Sequence, residues 1–374
     1  MPELPDYGHR SLAEVLPALL AALGAPEPAP ALTIGPARAA ALLLIDGLGT
    51  ELLRAHAADA PFLAGLADAG PLTVGFPSST VISLASLGTG LPPGAHGMLG
   101  TSFRVGSEVL DALRWTAGSD DMRDRQPPEE VQPARTVFER AEAMGIDVTV
   151  VSKREFRGSG LTRATLRGGA FRGTHALGDL AAEVVTATAA PGRRLVYGYH
   201  ADLDAMGHVY GPGSLPWRVQ LGQVDRLVEA IASRLPADSV LAVTGDHGMI
   251  TMDRVFDADT DADLREGVLL LGGDPRARHV HAAAGAAADV LATWLGVLGD
   301  AAWVVPGEQA IAEGWFGPLA PEFATRIGDV VVAARDDAGV IRSAAEPFIS
   351  RMVGQHGSLS TAEQLVPLLL ARPA

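Results

Sequence analysis

From Ala39 onward the chain alternates short apolar runs with segments of helical periodicity, and few architectures accommodate that rhythm. The runs are ALLLI at 41–45, PLTV at 71–74, DVTVV at 147–151, RLVYGY at 194–199 and SVLAV at 239–243. Helical patterns fall near 59–69, 79–90, 134–144, 176–188 and 217–234. An apolar run of strand length is buried on both faces, and strands separated by helices pair in parallel. The expectation is an α/β fold: a doubly wound, mostly parallel sheet flanked by helices, closed by a last helix at 360–371.

Residues 11–23 read as one amphipathic helix with Ser11 as N-cap and Gly24 as stop, followed by a PEPAPA linker. The spacing predicts an N-terminal helix and linker over 1–30 and one large domain over 31–374. Two stretches break the alternation. Residues 101–133, with GSDDMRDRQPPEE, are polar and rich in turn formers; 253–328 mixes strand-like GVLLLG, a helix near 284–297 and the strand AAWVV at 301–305. They read as insertions or a small cap beside the sheet, where substrates are selected.

The 374 residues include no cysteine, which removes disulfides and thiolate ligands, so any metal must be held by nitrogen and oxygen. Such donors suit zinc, manganese or magnesium. A net charge of −15 argues against a nucleic-acid polymer or an anionic membrane as partner. The N-terminal residues lack a basic segment followed by an apolar core, and no apolar run reaches spanning length. A cytoplasmic location without membrane insertion is expected, with a small-molecule partner; the oligomeric state is open.

In an open parallel sheet, reactive groups gather beyond the carboxyl ends of the strands. Asp46 follows ALLLI, Asp204 and His208 follow RLVYGY, and Asp246-His247 follow SVLAV between Gly245 and Gly248. His356 lies in VGQHGS. Singly, each aspartate reads as a helix cap and each histidine as a surface or core residue. Capping does not explain three aspartates and three histidines at strand ends, two of the histidines lying one or four residues after an aspartate. A metal site does. Thr80, in FPSST at the start of a helical pattern, is placed where backbone N–H groups favour an anion, and it is the candidate nucleophile.

FPSST, the D-x-x-x-H of Asp204 and His208 followed by Gly211-Pro212, GDHGM at 245–249 and QHG at 355–357 together resemble the alkaline phosphatase superfamily. Within it the pattern is similar to the type I phosphodiesterase/nucleotide pyrophosphatase branch over about residues 38–370. The resemblance implies two divalent ions, zinc being the implied metal. Asp46, Thr80, Asp246 and His247 would hold one; Asp204, His208 and His356 would hold the other. Asp202 competes with Asp204 but lacks the spacing to His208. The implied chemistry is in-line displacement at phosphorus through a phosphothreonine on Thr80.

Two positions depart from that pattern. Where the branch carries an asparagine that donates to a phosphoryl oxygen, Thr101 stands here, and Val81-Ile82-Ser83 replaces a P-N-H. Both leave the metal ligands alone and bear on the substrate, so a phosphomonoesterase, a phosphonate hydrolase and, in another class, a non-catalytic phosphoryl-binding module stay open. His279 and His281 form an H-x-H with the donors for a metal, but their alternation reads as one exposed strand face, and His96 reads as a residue behind the site or in a loop. Lys153, Arg154 and Arg157 read as positive charge at the mouth of the site or as a solvated loop.

Overall fold

Seven strands form the main sheet: β1 (Ala39–Ile45), β2 (Ala67–Asp68), β3 (Asp147–Lys153), β4 (Ala170–Thr174), β5 (Arg194–His200), β6 (Ser239–Gly245) and β7 (Leu368–Ala371), in the order β2-β7-β6-β1-β5-β3-β4. The computed structural model describes residues 2–26 and 30–373; part of the expected linker, 27–29, lies outside the described residues, as do Met1 and Ala374. The five strands from β6 to β4 run parallel, and β7 and β2 add an antiparallel edge. This is the α/β sheet that the alternation predicts.

Every residue of β1 is buried, because helices cover both faces. Leu42 and Leu44 point into one core with helices α1 (Val15–Ala22) and α2 (Thr80–Thr89). Ala41, Leu43 and Ile45 point into the other, against α3 (Leu177–Ala189) and α5 (Leu215–Ala232), with the short helix α4 (Asp202–Tyr210) lying between those two in sequence. Side chains alternate across a strand, so a continuous apolar run serves both cores. Each buried leucine contributes about 1.5–3 kcal/mol.

The structure corrects several expected elements. The last helix is only Thr361–Gln364; Pro367 cannot continue it, and the leucines at 368–370 enter the sheet as β7. PLTV shrinks to Leu72–Thr73, which pairs with Leu365–Val366 outside the main sheet. The helix at 59–69 reduces to Pro61–Ala64, stopped at Gly65 before β2. Residues 11–23 divide into a 3-10 turn, Leu12–Glu14, and α1, and Ser11 makes no side-chain cap. Strand β4 had no apolar signature to reveal it, since AFRGT sits half-buried at the sheet edge.

The irregular stretches build two smaller sheets. One is a four-stranded antiparallel sheet, in which Val268–Asp274, Ala277–Ala282, Val330–Ala334 and Ala302–Pro306 are neighbours in that order. The other runs through Ser102–Val105, Glu108–Asp111, Thr116–Ala117 and Asp120–Asp121. They touch where the Ser102 hydroxyl donates to Gly273 O at 3.1 Å. Among the described residues no helix is long and apolar enough to cross a membrane.

Helix α2 is held close to Gly160–Thr165 by one small residue. A Cβ on Gly88 would lie 1.8 Å from Thr165 O. Glycine to alanine ordinarily stabilises a helix by about 1 kcal/mol. Here overpacking reverses the sign, and Gly88→Ala should lower stability by roughly 1–3 kcal/mol, read as a lower denaturant midpoint with an unchanged slope.

Candidate active site

Strand register assembles the site. Ile45 is level with His200 on one side and with Gly245 on the other. The next residues, Asp46 and Asp246, therefore leave the sheet at one height, and the chain after β5 turns into α4, which carries Asp204 and His208. Gly47 permits the approach: its φ is +75°, and a Cβ there would lie 3.0 Å from Asp204 Cα. His356 arrives from outside the main sheet, just after the two-residue strand Gly354–Gln355.

The six residues form two adjoining clusters, Asp46 with Asp246 and His247, and Asp204 with His208 and His356. The His247 and His356 rings stack at 3.5 Å and give the clusters a common wall. His247 Nε2 lies 3.4 Å from Asp46 Oδ1 and 3.5 Å from Asp246 Oδ2. His208 Nε2 lies 3.3 Å from Asp204 Oδ2, and His356 Nε2 lies 3.9 Å from Asp204 Oδ1. Thr80, the first residue of α2, places Oγ1 3.2 Å from His247 Nε2.

The donor set fits divalent cations. Nδ1 of His208 donates to Gly354 O at 2.7 Å, that of His247 to Gly248 O at 2.9 Å and that of His356 to Ser78 O at 2.9 Å. A carbonyl only accepts, so each ring carries its proton on Nδ1 and turns Nε2 toward the carboxylates, as metal-binding histidines do. Asp46 Oδ1, Asp204 Oδ1 and Asp246 Oδ2 are buried without a hydrogen-bond partner. Buried carboxylate oxygens left so carry a large desolvation cost that a cation removes.

The electrostatics express the same crowding. Burial, then the charges of Asp246 and Asp204, push Asp46 well above the ordinary carboxylate range, against a hydrogen bond from the Tyr199 hydroxyl. For Asp204 burial acts upward too, but the summed pull of His208, His247 and His356 holds it below its ordinary value. Burial presses His208 down, yet Asp204 outweighs it and raises the ring; His356 is driven well below the ordinary histidine value by burial and by His247.

Asp46, Thr80, Asp204, His208 and His356 line one cavity of about 680 Å³, whose outer wall comes from the two smaller sheets and residues 342–352. Thr101 lines it too, and its N–H reaches Asp274 Oδ2 at 3.4 Å. Tyr199 and Asp274 are cavity residues that sequence reasoning missed. Tyr199 is hidden in a strand's alternation, and Asp274 enters the cavity only through the packing of two separate sheets.

The remaining candidates lie elsewhere. Asp202 pairs with Lys153 at 2.5 Å, outside both clusters. Arg154 and Arg157 line a separate surface hollow with His175. His279 and His281 are buried, not exposed: His279 Nε2 donates to Leu99 O at 2.8 Å, and burial lowers both rings to about 4. His96 is fully buried, its ring bonded to the Ser86 hydroxyl at 3.1 Å, and burial depresses it to about 3.

Comparison with known proteins agrees with this fold. The murine ectonucleotide pyrophosphatase/phosphodiesterase 5 structure superposes with a TM-score of 0.68 at 19% identity, covering 90% of this chain and 88% of that one. Phosphonoacetate hydrolase from Sinorhizobium meliloti, in complex with phosphonoacetate, gives 0.66 at 17% identity with 90% of each chain covered. Both likenesses are of fold. A stretch of 68 residues is 32% identical to the catalytic subunit of mouse GPI ethanolamine phosphate transferase 3, spanning 18% of this chain and only 6% of that much longer protein. The sequence profile of type I phosphodiesterase / nucleotide pyrophosphatase matches residues 40–359. With both strand-end clusters and Thr80 inside that match, the chain belongs to the type I phosphodiesterase / nucleotide pyrophosphatase family.

Proposed function

We propose that the protein hydrolyses phosphodiesters by two successive displacements at phosphorus, with Thr80 as nucleophile and two divalent ions, zinc by preference, as cofactors. Asp46, Thr80, Asp246 and His247 would hold one ion, and Asp204, His208 and His356 the other. The reading is carried by one observation: two complete nitrogen-and-oxygen clusters share a wall of stacked histidines, and a helix-terminal hydroxyl stands 3.2 Å from one of them. When bound, the ions supply Lewis acidity that lowers the pKa of a threonine hydroxyl or a water and offsets charge on phosphoryl oxygens.

The chain's own groups do the rest. His247 orients the Thr80 hydroxyl, and the N-terminus of α2 favours the negative charge that develops there. Thr80 Oγ1 forms a bond to phosphorus as the bond to one ester oxygen breaks, and the alcohol leaves with a proton. Water then attacks phosphorus from the opposite side, breaks the bond to Oγ1 and returns the threonine. The Thr101 hydroxyl and backbone near Asp274 bound the phosphoryl group on the cavity side and position it. The residues around the clusters are read as a single catalytic domain over 31–374, preceded by the N-terminal helix.

Zinc-loaded protein should hydrolyse bis-p-nitrophenyl phosphate faster than p-nitrophenyl phosphate, and a chelator should abolish both activities until zinc is restored. Chelation should also lower the melting temperature, since an ion at a hundred times its dissociation constant contributes about 2.7 kcal/mol of stability. Hydrolysis of neither ester by zinc-loaded protein would favour the non-catalytic binding module. Faster cleavage of phosphonoacetate than of either ester would move the assignment to phosphonate hydrolysis.

A further inference from the structure

Beyond the two clusters, the cavity is lined by five charged side chains, and four of them are already matched. Asp111 faces Arg114 at 3.4 Å, Glu346 accepts both arms of Arg278 at 2.8 and 3.2 Å, and Arg342 reaches Asp259 at 3.2 Å. Asp274 is the exception. It is 3% exposed, Thr101 reaches it with its N–H at 3.4 Å and with its side chain, and no basic side chain forms an ion pair with it among the described residues. Arg278 is near enough to be felt electrostatically, but its guanidinium is committed to Glu346.

The position of Asp274 is rigid and close to the chemistry. It ends a strand and pairs across a tight hairpin with Ala277, so the backbone has little freedom. Its Cβ would lie 3.2 Å from a Cβ built on Gly357, the neighbour of His356. A buried carboxylate without a cation is costly. As an acceptor for the N–H and the side chain of Thr101 an asparagine would serve equally, without the charge. Burial raises Asp274, and the bonds from Thr101 and the field of Arg278 act against it. What Asp274 lacks on the cavity side is a paired basic side chain, and a ligand can bring one.

Resting on the phosphodiesterase reading above, we propose that Asp274 determines specificity by receiving a cationic amine carried on a short arm of the substrate, an alkylammonium ester of the phosphoryl group. The arm is short because Asp274 adjoins Thr101 and the loop of His356. The apolar part of the wall, including Leu271, Ile349 and Met352, then takes the other substituent.

Two measurements test this. With zinc-loaded protein at pH 7.5, kcat/KM for 2-aminoethyl p-nitrophenyl phosphate should exceed that for ethyl p-nitrophenyl phosphate by about ten- to a hundredfold, the scale of one charge-assisted hydrogen bond. Asp274→Asn and Asp274→Ser should bring the ratio near one. By calorimetry, zinc-loaded Thr80→Ala protein should show the same preference for 2-aminoethyl ethyl phosphate over diethyl phosphate, which reads recognition without turnover. Equal kcat/KM or equal affinity for the two members of either pair, or a preference that survives both Asp274 variants, overturns the proposal while leaving the hydrolase reading intact. Turnover of neither nitrophenyl ester overturns the hydrolase reading, and the calorimetric preference then decides the role of Asp274 alone.

Discussion

Thr80→Ala should reduce diester hydrolysis roughly ten-thousand-fold, because removing the nucleophile of a covalent mechanism forfeits the whole first displacement. The fold should survive: Thr80 is half-buried, alanine keeps its Cβ, and alanine is favourable at the start of α2. Thr80→Ser keeps an oxygen at the same place and should retain most of the rate. Rapid acid quenching of the wild type followed by mass spectrometry should find a phosphoryl group on Thr80, and none on the alanine variant. An alanine variant within tenfold of the wild-type rate would remove Thr80 from the chemistry and leave direct attack by water.

Glu363→Ala should be the most destabilising single change outside the site. Glu363 and Arg276 are fully buried and joined by two bonds, Nε to Oε1 at 3.0 Å and Nη2 to Oε2 at 2.6 Å. Glu363 also receives Ser358 N at 2.9 Å and the Ser360 hydroxyl at 2.5 Å. Truncation leaves a guanidinium uncompensated in the interior, which costs about 3–5 kcal/mol. Because Ser358 belongs to the loop of His356, zinc affinity should fall with stability. Replacing both partners, Arg276→Met with Glu363→Leu, should recover much of the stability, since a buried pair is weak as a net contributor. Urea denaturation of the three proteins, with and without zinc, separates the effects; a single variant within 1 kcal/mol of wild type would mean that water reaches Arg276.

That Asp46, Asp204, His208, Asp246, His247 and His356 would meet was legible because each follows an apolar run or sits between glycines, and parallel pairing aligns strand ends. Strands β1, β3, β5 and β6 were legible for the same reason. Edge elements were not. AFRGT has one covered face and no periodic signature, while the leucines of β7 satisfy helical and strand patterns equally until Pro367 decides. Glu363 looks like any acidic residue near a helix start, since its partner lies 87 residues away. His279 and His281 follow the alternation expected of an exposed strand, but a second layer packs over that face, and local sequence does not encode what arrives from elsewhere. The charge state of the cavity wall is hidden similarly, because Asp274 is unusual only for the ion pair it does not make.

The alignment of Ile45 with His200 and Gly245 also orders events in time. During synthesis β1 emerges before both of its neighbours in the sheet, first β5 and then β6. The cluster built on Asp46 therefore cannot exist before β6 docks, and the one built on Asp204 must wait further for His356. Until β6 and the loop of His356 have docked, the chain cannot offer either proposed ion its finished set of ligands, and capture of both would mark that these segments have closed.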